Sequence, residues 1–389
     1  MTNIYNISDK EKYYAYFLAT VSLLSVFGNV SWGLYAYYAG IVCMTLYALA
    51  NRKLHVAIFF YFVVWIAISS VLNTIYDWRI ATFGLLILCT TPAISSPHIY
   101  RLRKAVMYVI CVLLPIVTML NLYAYSAGIN YSLIMNENVS LLQFSGYMTE
   151  PLWLGCITGA SNVSITYFFI SRIDKRKIYR YGLLLLLILS IYLTIVSGSR
   201  SALFSSVLGM GTIIYYYAHN KKRFLKYFSV ALILTVLLLP FFKSGGDVMA
   251  GKMETQTLAA NSRSVLWHQR LQEFYSSPIW GIGFATIHRW GRVITGTVET
   301  GSGWLTVLSQ TGIVGAMFFF LFFKRIKKNL KIIKTSNDLI LFAGIFVFLI
   351  SMSFFEGFIY TIGYVPCFMF WLILGIFYES NKYEHFPKL

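Results

Sequence analysis

The polar stretch between residues 243 and 304 contains the side chains of this chain that are best suited to chemistry. Its basic side chains are Lys252, Arg263, His268, Arg270, His288, Arg289 and Arg292. A guanidinium group binds phosphate through two parallel hydrogen bonds, and a histidine exchanges protons near neutral pH. These residue types predict that any chemistry of the protein involves this segment and an anion.

The segment is predicted to contain an amphipathic helix over about 262–276. Asn261 and Ser262 are typical of a helix start, and Ser277-Pro278 ends the run. At 3.6 residues per turn, His268, Gln269, Gln272 and Glu273 fall on the polar faces, and the apolar face consists of Arg263, Leu266, Trp267, Arg270, Leu271 and Phe274. An ordinary surface helix would not carry two arginines on its apolar face. Either they reach lipid headgroups, or they point into a cavity that holds an anion.

The composition of the chain is that of a membrane protein. Its 389 residues are 58% hydrophobic and 12% charged, whereas soluble domains carry about 25% charged residues. Apolar runs of roughly 17–22 residues are long enough to cross a bilayer as helices. We predict an all-α polytopic transmembrane bundle with about twelve spans at 13–29, 31–50, 56–75, 80–95, 105–123, 152–170, 181–197, 202–218, 227–242, 305–323, 339–355 and 364–378. The five cysteines lie in apolar runs, and we interpret them as small core residues.

The distribution of charge predicts the orientation of the spans. Basic clusters follow every even-numbered span and contain most of the 32 lysines and arginines. Because positively charged loops stay cytoplasmic, both termini are predicted to be inside. The chain then divides into 1–242 with nine spans, 243–304 as a large extracytoplasmic loop, and 305–389 with three spans and a cytoplasmic tail. The same rule accounts for the net charge of +18, so no nucleic-acid partner is implied.

Two residues of other outer loops are candidates for the same site. Arg200 lies in a Gly- and Ser-rich turn whose free backbone N–H groups suit an anion, and we interpret it as a phosphate ligand rather than a lipid-facing arginine. Glu150 precedes Pro151 at a predicted helix start. It either caps that helix or stands at the mouth of a membrane cavity, where a carboxylate can accept a proton.

Two further outer positions have a simpler interpretation. Asp77 and Arg79 flank Trp78, which indicates a local ion pair at the membrane interface. Glu356 ends the eleventh predicted span. It is either solvated or paired with an outer arginine, and the sequence does not decide between these alternatives.

Several motifs resemble those of the O-antigen ligase and polymerase superfamily. They are Ser199-Arg200-Ser201; Ser262-Arg263 with Trp267; Ser277-Pro278 with Gly281 and Gly283; and Leu305-x-x-Leu308-x-Gln310-x-Gly312-x-x-Gly315. Residues 144–151 are similar to the Gly-x-x-x-Glu-Pro element of polysaccharide polymerases in this superfamily. The resemblance covers about 144–315, and the residues before it match by hydropathy alone.

The resemblance implies a membrane glycosyltransferase of the class C type that needs no cofactor, metal or nucleotide sugar. Such an enzyme transfers a glycan from undecaprenyl diphosphate to an acceptor sugar at the outer face of the bacterial cytoplasmic (inner) membrane. Carried over by motif, Arg200 and Arg263 would bind the donor diphosphate and stabilise the leaving group, and Arg270 shares the helix face of Arg263. The implied partners are membrane lipids, the lipid-linked donor and acceptor, and a membrane protein that regulates chain length.

The sequence departs from the ligases of the superfamily at one place. Ligases have a His-Asn pair where this chain has Gly301 and Ser302. The proton acceptor is then Glu299, His288 or Glu150, which the sequence leaves open. The remaining predicted cavity residues are Trp267, Arg289, Arg292, Ser302, Trp304 and Glu356.

This departure favours a polymerase that joins repeat units of an O-antigen, exopolysaccharide or capsule. One alternative is a ligase on the same fold, which passes a finished glycan to a lipid or protein. A second is a flippase or transporter without enzymatic activity, which about twelve spans would also suit. Transporters often show related halves, and no motif in the first half matches the large loop.

Overall fold

The chain folds almost entirely into helices. The computed structural model describes residues 9–50, 53–54, 58–131, 143–171, 177–218, 262–289, 292–295, 301–329 and 336–384, with isolated positions between them. Its helices are α1 (Asp9–Leu24), α2 (Gly33–Ala50), α3 (Ile58–Leu72), α4 (Trp78–Thr90), α5 (Pro97–Ser126), α6 (Pro151–Ser171), α7 (Lys177–Val196), α8 (Arg200–Tyr217), α9 (Ser262–Ser276), α10 (Gly303–Asn329), α11 (Asn337–Ser353) and α12 (Val365–Tyr383). Two short antiparallel pairs complete it: β1 (Lys53–Leu54) with β2 (Ile94–Ser95), and β3 (Thr286–Arg289) with β4 (Arg292–Thr295).

The helices agree with the predicted spans and with the predicted loop helix. Every predicted span coincides with a helix except 227–242, which lies outside the described residues. In the described part of the chain, the helices long and apolar enough to cross a membrane are Gly33–Ala50, Pro97–Ser126, Pro151–Ser171, Lys177–Val196 and Gly303–Lys327. The chain is therefore a helical membrane protein, whereas twelve spans and cytoplasmic termini stay predictions.

Helices α6 and α12 lie at the centre of the bundle. Nearly every residue of α12 from Val365 to Phe377 is buried, because α4, α5, α10 and α11 surround it. Helix α6 packs against α5, α7, α8 and α11 and is buried over most of its length. The polar side chains of α6 are small and form hydrogen bonds inside the protein, as Thr158 and Asn162 do, so they do not prevent this burial.

Close contact between α6, α8 and α11 depends on small residues. A Cβ added at Gly209 of α8 would lie 2.8 Å from the carbonyl oxygen of Gly344 in α11, and one at Gly155 of α6 would lie 2.5 Å from the Cβ of Ser199. Small residues at such crossings let backbones approach where no hydrophobic effect drives helices together. The Gly155 contact also places the turn before Arg200 directly against α6.

The cysteines correct one sequence-based interpretation. Cys89, Cys111, Cys156 and Cys367 are buried, as expected of small core residues, but Cys43 is exposed on α2. An apolar run in a membrane helix includes the residues that face lipid, so it does not by itself predict burial within the protein.

A buried ion pair connects α5 to α12 at the end of the bundle that holds β1 and β2. Arg103 is fully buried, and its Nη1 donates to Glu379 Oε2 at 2.7 Å. The same guanidinium donates to the carbonyl oxygens of Cys89 and Ile94, each at 2.9 Å. Arg103 thus fixes the connection between α4 and α5, and it is buried inside the bundle rather than exposed in a loop.

Replacing Glu379 with glutamine should destabilise the protein by about 3–5 kcal/mol, because the buried guanidinium loses its counter-charge. The measurement is the thermal unfolding midpoint of the detergent-purified protein. The control is Asp9→Asn, which removes the 83%-exposed carboxylate of the Lys12–Asp9 pair and should cost at most about 1 kcal/mol. Equal midpoints for the two variants would contradict a stabilising role of the Arg103–Glu379 pair.

Candidate active site

Helix α10 is interrupted in its first half. Gly312 has φ 64° and ψ −169°, which breaks the helical hydrogen-bond pattern. A break inside an apolar layer exposes backbone donors and acceptors that lipid cannot satisfy. Residues 278–283 satisfy them: the N–H groups of Ile282 and Gly283 donate to the carbonyls of Ser309 and Gln310 at 2.9 and 3.1 Å, and Ile313 N–H donates to Pro278 at 2.8 Å.

Helix α3 holds the same segment from the other side. Ser69 Oγ donates to the carbonyl of Trp280 at 2.6 Å, Asn73 Nδ2 donates to the carbonyl of Gly281 at 2.9 Å, and Trp65 Nε1 donates to the carbonyl of Thr311 at 2.9 Å. Residues 278–283 therefore lie among the helices.

Two glycines of the sequence motifs described above, Gly281 and Gly312, make this close packing possible. Gly281 has φ +73°, and a Cβ there would lie 2.4 Å from the backbone of Gln310. A Cβ at Gly312 would lie 2.2 Å from the carbonyl oxygen of Ile279. Both positions combine a left-handed conformation with backbone contact, so a side chain has no room at either.

The packed segment positions Arg270 of α9. Gln310 accepts from Ala285 N–H at 3.2 Å and donates to the carbonyl of Thr286 at 3.0 Å. Arg270 Nη1 donates to that carbonyl at 3.0 Å and to Glu273 Oε2 at 2.8 Å. Arg270 is 1% exposed, so its position in the site is fixed.

These contacts correct the predicted face of α9. The sequence placed Trp267 on the inner face and Glu273 on an outer one, but Glu273 is buried and Trp267 is exposed by 37%. Trp267 Nε1 donates to the carbonyl of Gly301 at 2.8 Å, which ties it to the start of α10. The arginine on the inner face is paired with a carboxylate one helical turn away.

Arg263 is also paired with a carboxylate of the protein. Its Nη2 lies 2.5 Å from Glu356 Oε1, and its guanidinium lies over the ring of Phe355 at 5.7 Å. Ser201 Oγ of α8 donates to the same carboxylate oxygen at 3.4 Å. Of the two alternatives for Glu356, the structure confirms pairing with an arginine, Arg263 of the predicted outer loop.

Arg200 lies at the first turn of α8, near this ion pair. Its side chain is half-buried. Burial and the positive charge of Arg263 both lower the pKa of the Arg200 guanidinium from its usual value. Two arginines from different loops thus lie close enough to interact, and a negatively charged ligand would relieve their repulsion.

A cavity of about 220 Å³ lies beside these groups. Its charged lining residues are Arg79, Glu150, Arg270 and Glu356, and the others include Trp153, Ala285, Thr286, Thr306, Gln310, Tyr360, Thr361 and Tyr364. Glu150 reaches it because Thr149 N–H donates to the carbonyl of Val26 at 3.1 Å, which holds the preceding loop against the end of α1. The carbonyl of Glu150 also begins α6 by accepting from Trp153 N–H at 3.1 Å.

The structure brings together some of the predicted site residues. Glu150, Arg270 and Glu356 line the cavity, and Arg263 and Arg200 lie next to Glu356 or to each other. His288, Arg289 and Arg292 belong to β3 and β4, but their side chains lie outside the described part of the chain. Glu299 lies outside the described residues altogether.

Two predicted cavity residues, Trp304 and Ser302, are not among the residues that line this cavity. Trp304 packs against Phe319, Phe323 and Phe354 with ring centroids 5.6–6.0 Å apart. Ser302 is buried before α10, and its carbonyl accepts from Thr306 N–H at 3.1 Å. Aromatic and hydroxyl side chains at a helix start are equally suited to packing and to ligand binding, so the sequence alone could not separate the two uses.

Other cavity residues were missed or only partly understood from the sequence. The predicted ion pair of Arg79 is confirmed, with Nη1 at 3.4 Å from Asp77 Oδ2, but Arg79 also lines the cavity. Gln310 belongs to one of the sequence motifs, but the sequence predicts no role for its side chain. Its position two residues before a glycine in an apolar span was the available signal, because an amide there must find hydrogen-bond partners inside the protein.

The arrangement is suited to binding an anion and moving a proton. Across the described ranges, no group of three or more His, Cys, Asp or Glu side chains is placed to hold a metal ion. The cavity instead combines guanidinium groups with two carboxylates from different connections, Glu150 and Glu356. Groups of this kind can stabilise a developing negative charge and accept a proton.

The comparison with protein families agrees with the motifs. Residues 184–320 match the family model described as O-antigen ligase. The matched region runs from α7 into α10 and includes Arg200, Arg263 and Arg270. It supports an O-antigen ligase or polymerase type of function, that of a membrane glycosyltransferase-like enzyme, without separating the two. No curated protein matches the chain.

Replacing Gly281 or Gly312 with alanine should destabilise the protein by about 2 kcal/mol or more, because the new Cβ meets backbone atoms and the left-handed conformation is strained. The measurement is the thermal unfolding midpoint in detergent. The matched control is Gly182→Ala in α7, where a Cβ would meet no atom within 4 Å and should stabilise the helix by up to about 1 kcal/mol. A midpoint for Gly312→Ala equal to that of the control would contradict the proposed close packing.

Proposed function

We propose that this chain, which belongs through residues 184–320 to the O-antigen ligase and polymerase superfamily, is a polysaccharide repeat-unit polymerase. It joins oligosaccharide repeat units carried on undecaprenyl diphosphate, at the outer face of the cytoplasmic membrane. The observation that carries this proposal is the pair Arg200 and Arg263, which lies beside a cavity lined by Glu150 and Glu356.

The two arginines suit the diphosphate of the donor. A guanidinium forms two parallel hydrogen bonds with a phosphate group, and the half-exposed side chain of Arg263 is accessible to a ligand. As the bond between the sugar and the phosphate breaks, negative charge grows on the leaving oxygen. Fixed positive charges at this point lower the barrier, because they are already oriented before the reaction.

The cavity suits the reacting sugars. Its volume of about 220 Å³ is below the roughly 300–1,000 Å³ of sites that enclose a drug-sized ligand, so it holds the reacting ends rather than whole repeat units. Thr286, Thr306 and Thr361 offer hydroxyl groups, and Trp153 and Tyr360 offer aromatic rings. Such a mixture of few polar groups and aromatic walls is typical of sites that orient a small ligand.

One contact favours polymerase over ligase. Ligases of the superfamily have a His-Asn pair where this chain has Gly301 and Ser302. Gly301 has φ +66°, and a Cβ there would lie 2.9 Å from the Cβ of Leu266 in α9. Its carbonyl also accepts from Trp267. A histidine at this position would disturb the packing of α9 on α10, so the proton acceptor of this protein must come from another residue.

The carrier-linked glycans of a deletion strain test the function directly. Loss of a polymerase should leave single repeat units on the lipid carrier, which mass spectrometry of extracted lipids detects. Complete polymer on the carrier would instead indicate a ligase. Normal polymer in its normal place would contradict both glycosyltransferase roles, and loss of repeat units from the outer face would indicate a flippase.

Replacing Arg200 or Arg263 with alanine should slow polymerisation by about 10²–10³-fold, because each supplies charge to the leaving diphosphate. The measurement is polymer length from synthetic lipid-linked repeat units and purified protein. The control is Arg325→Ala, which removes an exposed arginine that lies over the ring of Tyr378 at 5.7 Å and should leave polymer length unchanged. Full-length polymer from both site variants would contradict the proposed diphosphate site.

A further inference from the structure

Glu356 lines the cavity, and its carboxylate also forms an ion pair with Arg263. We propose that Glu356 holds Arg263 until the donor diphosphate takes this arginine, and that the freed carboxylate then accepts the proton of the acceptor hydroxyl. This proposal rests on the proposed function, since it assigns a step to the same site. It makes donor binding the event that activates the proton acceptor.

The backbone of Glu356 is fixed. It follows α11, where its N–H donates to the carbonyl of Met352 at 3.0 Å, and its own carbonyl accepts from Gly303 N–H at the start of α10 at 3.0 Å. A Cβ at Gly303 would lie 3.2 Å from this carbonyl oxygen, so the contact is close. The carboxylate therefore stays at the cavity wall when its arginine moves.

The two partners of the ion pair differ in their access to a ligand. The side chain of Arg263 is 41% exposed, whereas that of Glu356 is 10% exposed. A ligand that approaches from outside thus reaches the guanidinium, while the carboxylate faces the cavity. Arg263 is also carried by α9, a different element from the one that carries Glu356, so the pair can separate without moving the cavity wall.

The local charge favours this exchange. Arg200 and Arg263 together carry two positive charges, and the pKa of Arg200 is lowered by its burial and by Arg263. A diphosphate carries more negative charge and offers more acceptor oxygens than a carboxylate, so it is the stronger ligand for two guanidinium groups.

The exchange changes what the carboxylate can do. A guanidinium at hydrogen-bond distance favours the ionised form of a carboxylate and makes it a weak base, whereas a buried carboxylate without that partner gains by taking up a proton. In the transfer, the acceptor hydroxyl oxygen bonds to the anomeric carbon of the donor sugar. The bond from that carbon to the phosphate oxygen breaks, its electron pair leaves with the diphosphate, and the hydroxyl proton passes to Glu356.

Replacing Glu356 with glutamine separates binding from turnover. The purified full-length variant should bind a short-chain polyprenyl diphosphate at least about threefold more tightly, because Arg263 no longer has a competing anion. Its turnover of synthetic lipid-linked repeat units should fall by about 10²–10⁴-fold, because the proton acceptor is lost. Arg263→Ala should weaken binding, and Asp9→Asn should leave both quantities unchanged.

The outcomes distinguish this proposal from the proposed function. Unchanged or weaker diphosphate binding by Glu356→Gln would overturn the exchange, and turnover within about threefold of the wild type would overturn the proton transfer. If the wild-type protein binds the diphosphate and makes no polymer, the polymerase function and the proton transfer fail. The comparison of binding then still decides whether Glu356 and the diphosphate compete for Arg263.

A second measurement needs no variant, in case Glu356→Gln does not fold. Dicyclohexylcarbodiimide modifies protonated carboxyl groups in apolar surroundings, and mass spectrometry identifies the modified residue. Adding the polyprenyl diphosphate to the wild-type protein should increase modification at Glu356, because loss of Arg263 raises the proton affinity of this carboxylate and therefore its protonated fraction. Unchanged or decreased modification at saturating diphosphate would count against the proposal.

Discussion

The break in α10 at Gly312 is the constraint on which the site depends. Backbone groups freed inside an apolar layer must be satisfied by the protein itself, and residues 278–283 and the side chains of Trp65 and Ser69 in α3 do so. The chain continues from this segment directly into Ala285 and Thr286, which line the cavity. Satisfying the broken helix therefore also fixes the cavity wall and the carbonyl that holds Arg270.

The charges of the site follow a second constraint. Arginines in apolar surroundings need a nearby anion, and this chain supplies carboxylates for them: Glu273 for Arg270, Glu356 for Arg263 and Asp77 for Arg79. The pairs differ in burial. Arg270 and Glu273 are almost fully buried and hold α9 in place, whereas Arg263 is the most exposed arginine of the three. An incoming anion therefore competes most easily for Arg263.

The sequence predicted features that depend on local patterns. Apolar runs located the helices, and a cap at Ser262 with a stop at Ser277-Pro278 located α9 with its observed bounds. The remaining features depend on residues far apart in the chain. Arg103 and Glu379 are 276 positions apart, and Trp65 and Thr311 are 246 apart. Neither pair leaves a periodic signal in the sequence. The charge pattern therefore does not reveal that Arg103 is buried.

The position of the predicted amphipathic face shows why a site is harder to predict than a helix. A helical period groups Arg263, Trp267 and Arg270 by angle, but the buried face of α9 is set by what it packs against. The carbonyl of Gly301, just before α10, accepts a hydrogen bond from the indole N–H of Trp267, and the carbonyl of Thr286 accepts one from Arg270. Glu273 is then drawn inward as the partner of Arg270. These contacts with other elements decide which residues of α9 are buried. The sequence of the helix alone does not reveal them.

Gly301 leaves little space for a side chain between α9 and the start of α10. A Cβ there would lie 2.9 Å from the Cβ of Leu266. The carboxylates that face the cavity, Glu150 and Glu356, come from the connections before α6 and after α11. The arginines come from the start of α8 and from α9. The candidate donor ligands and the candidate proton acceptors therefore lie on different elements, and the Arg263–Glu356 ion pair connects them.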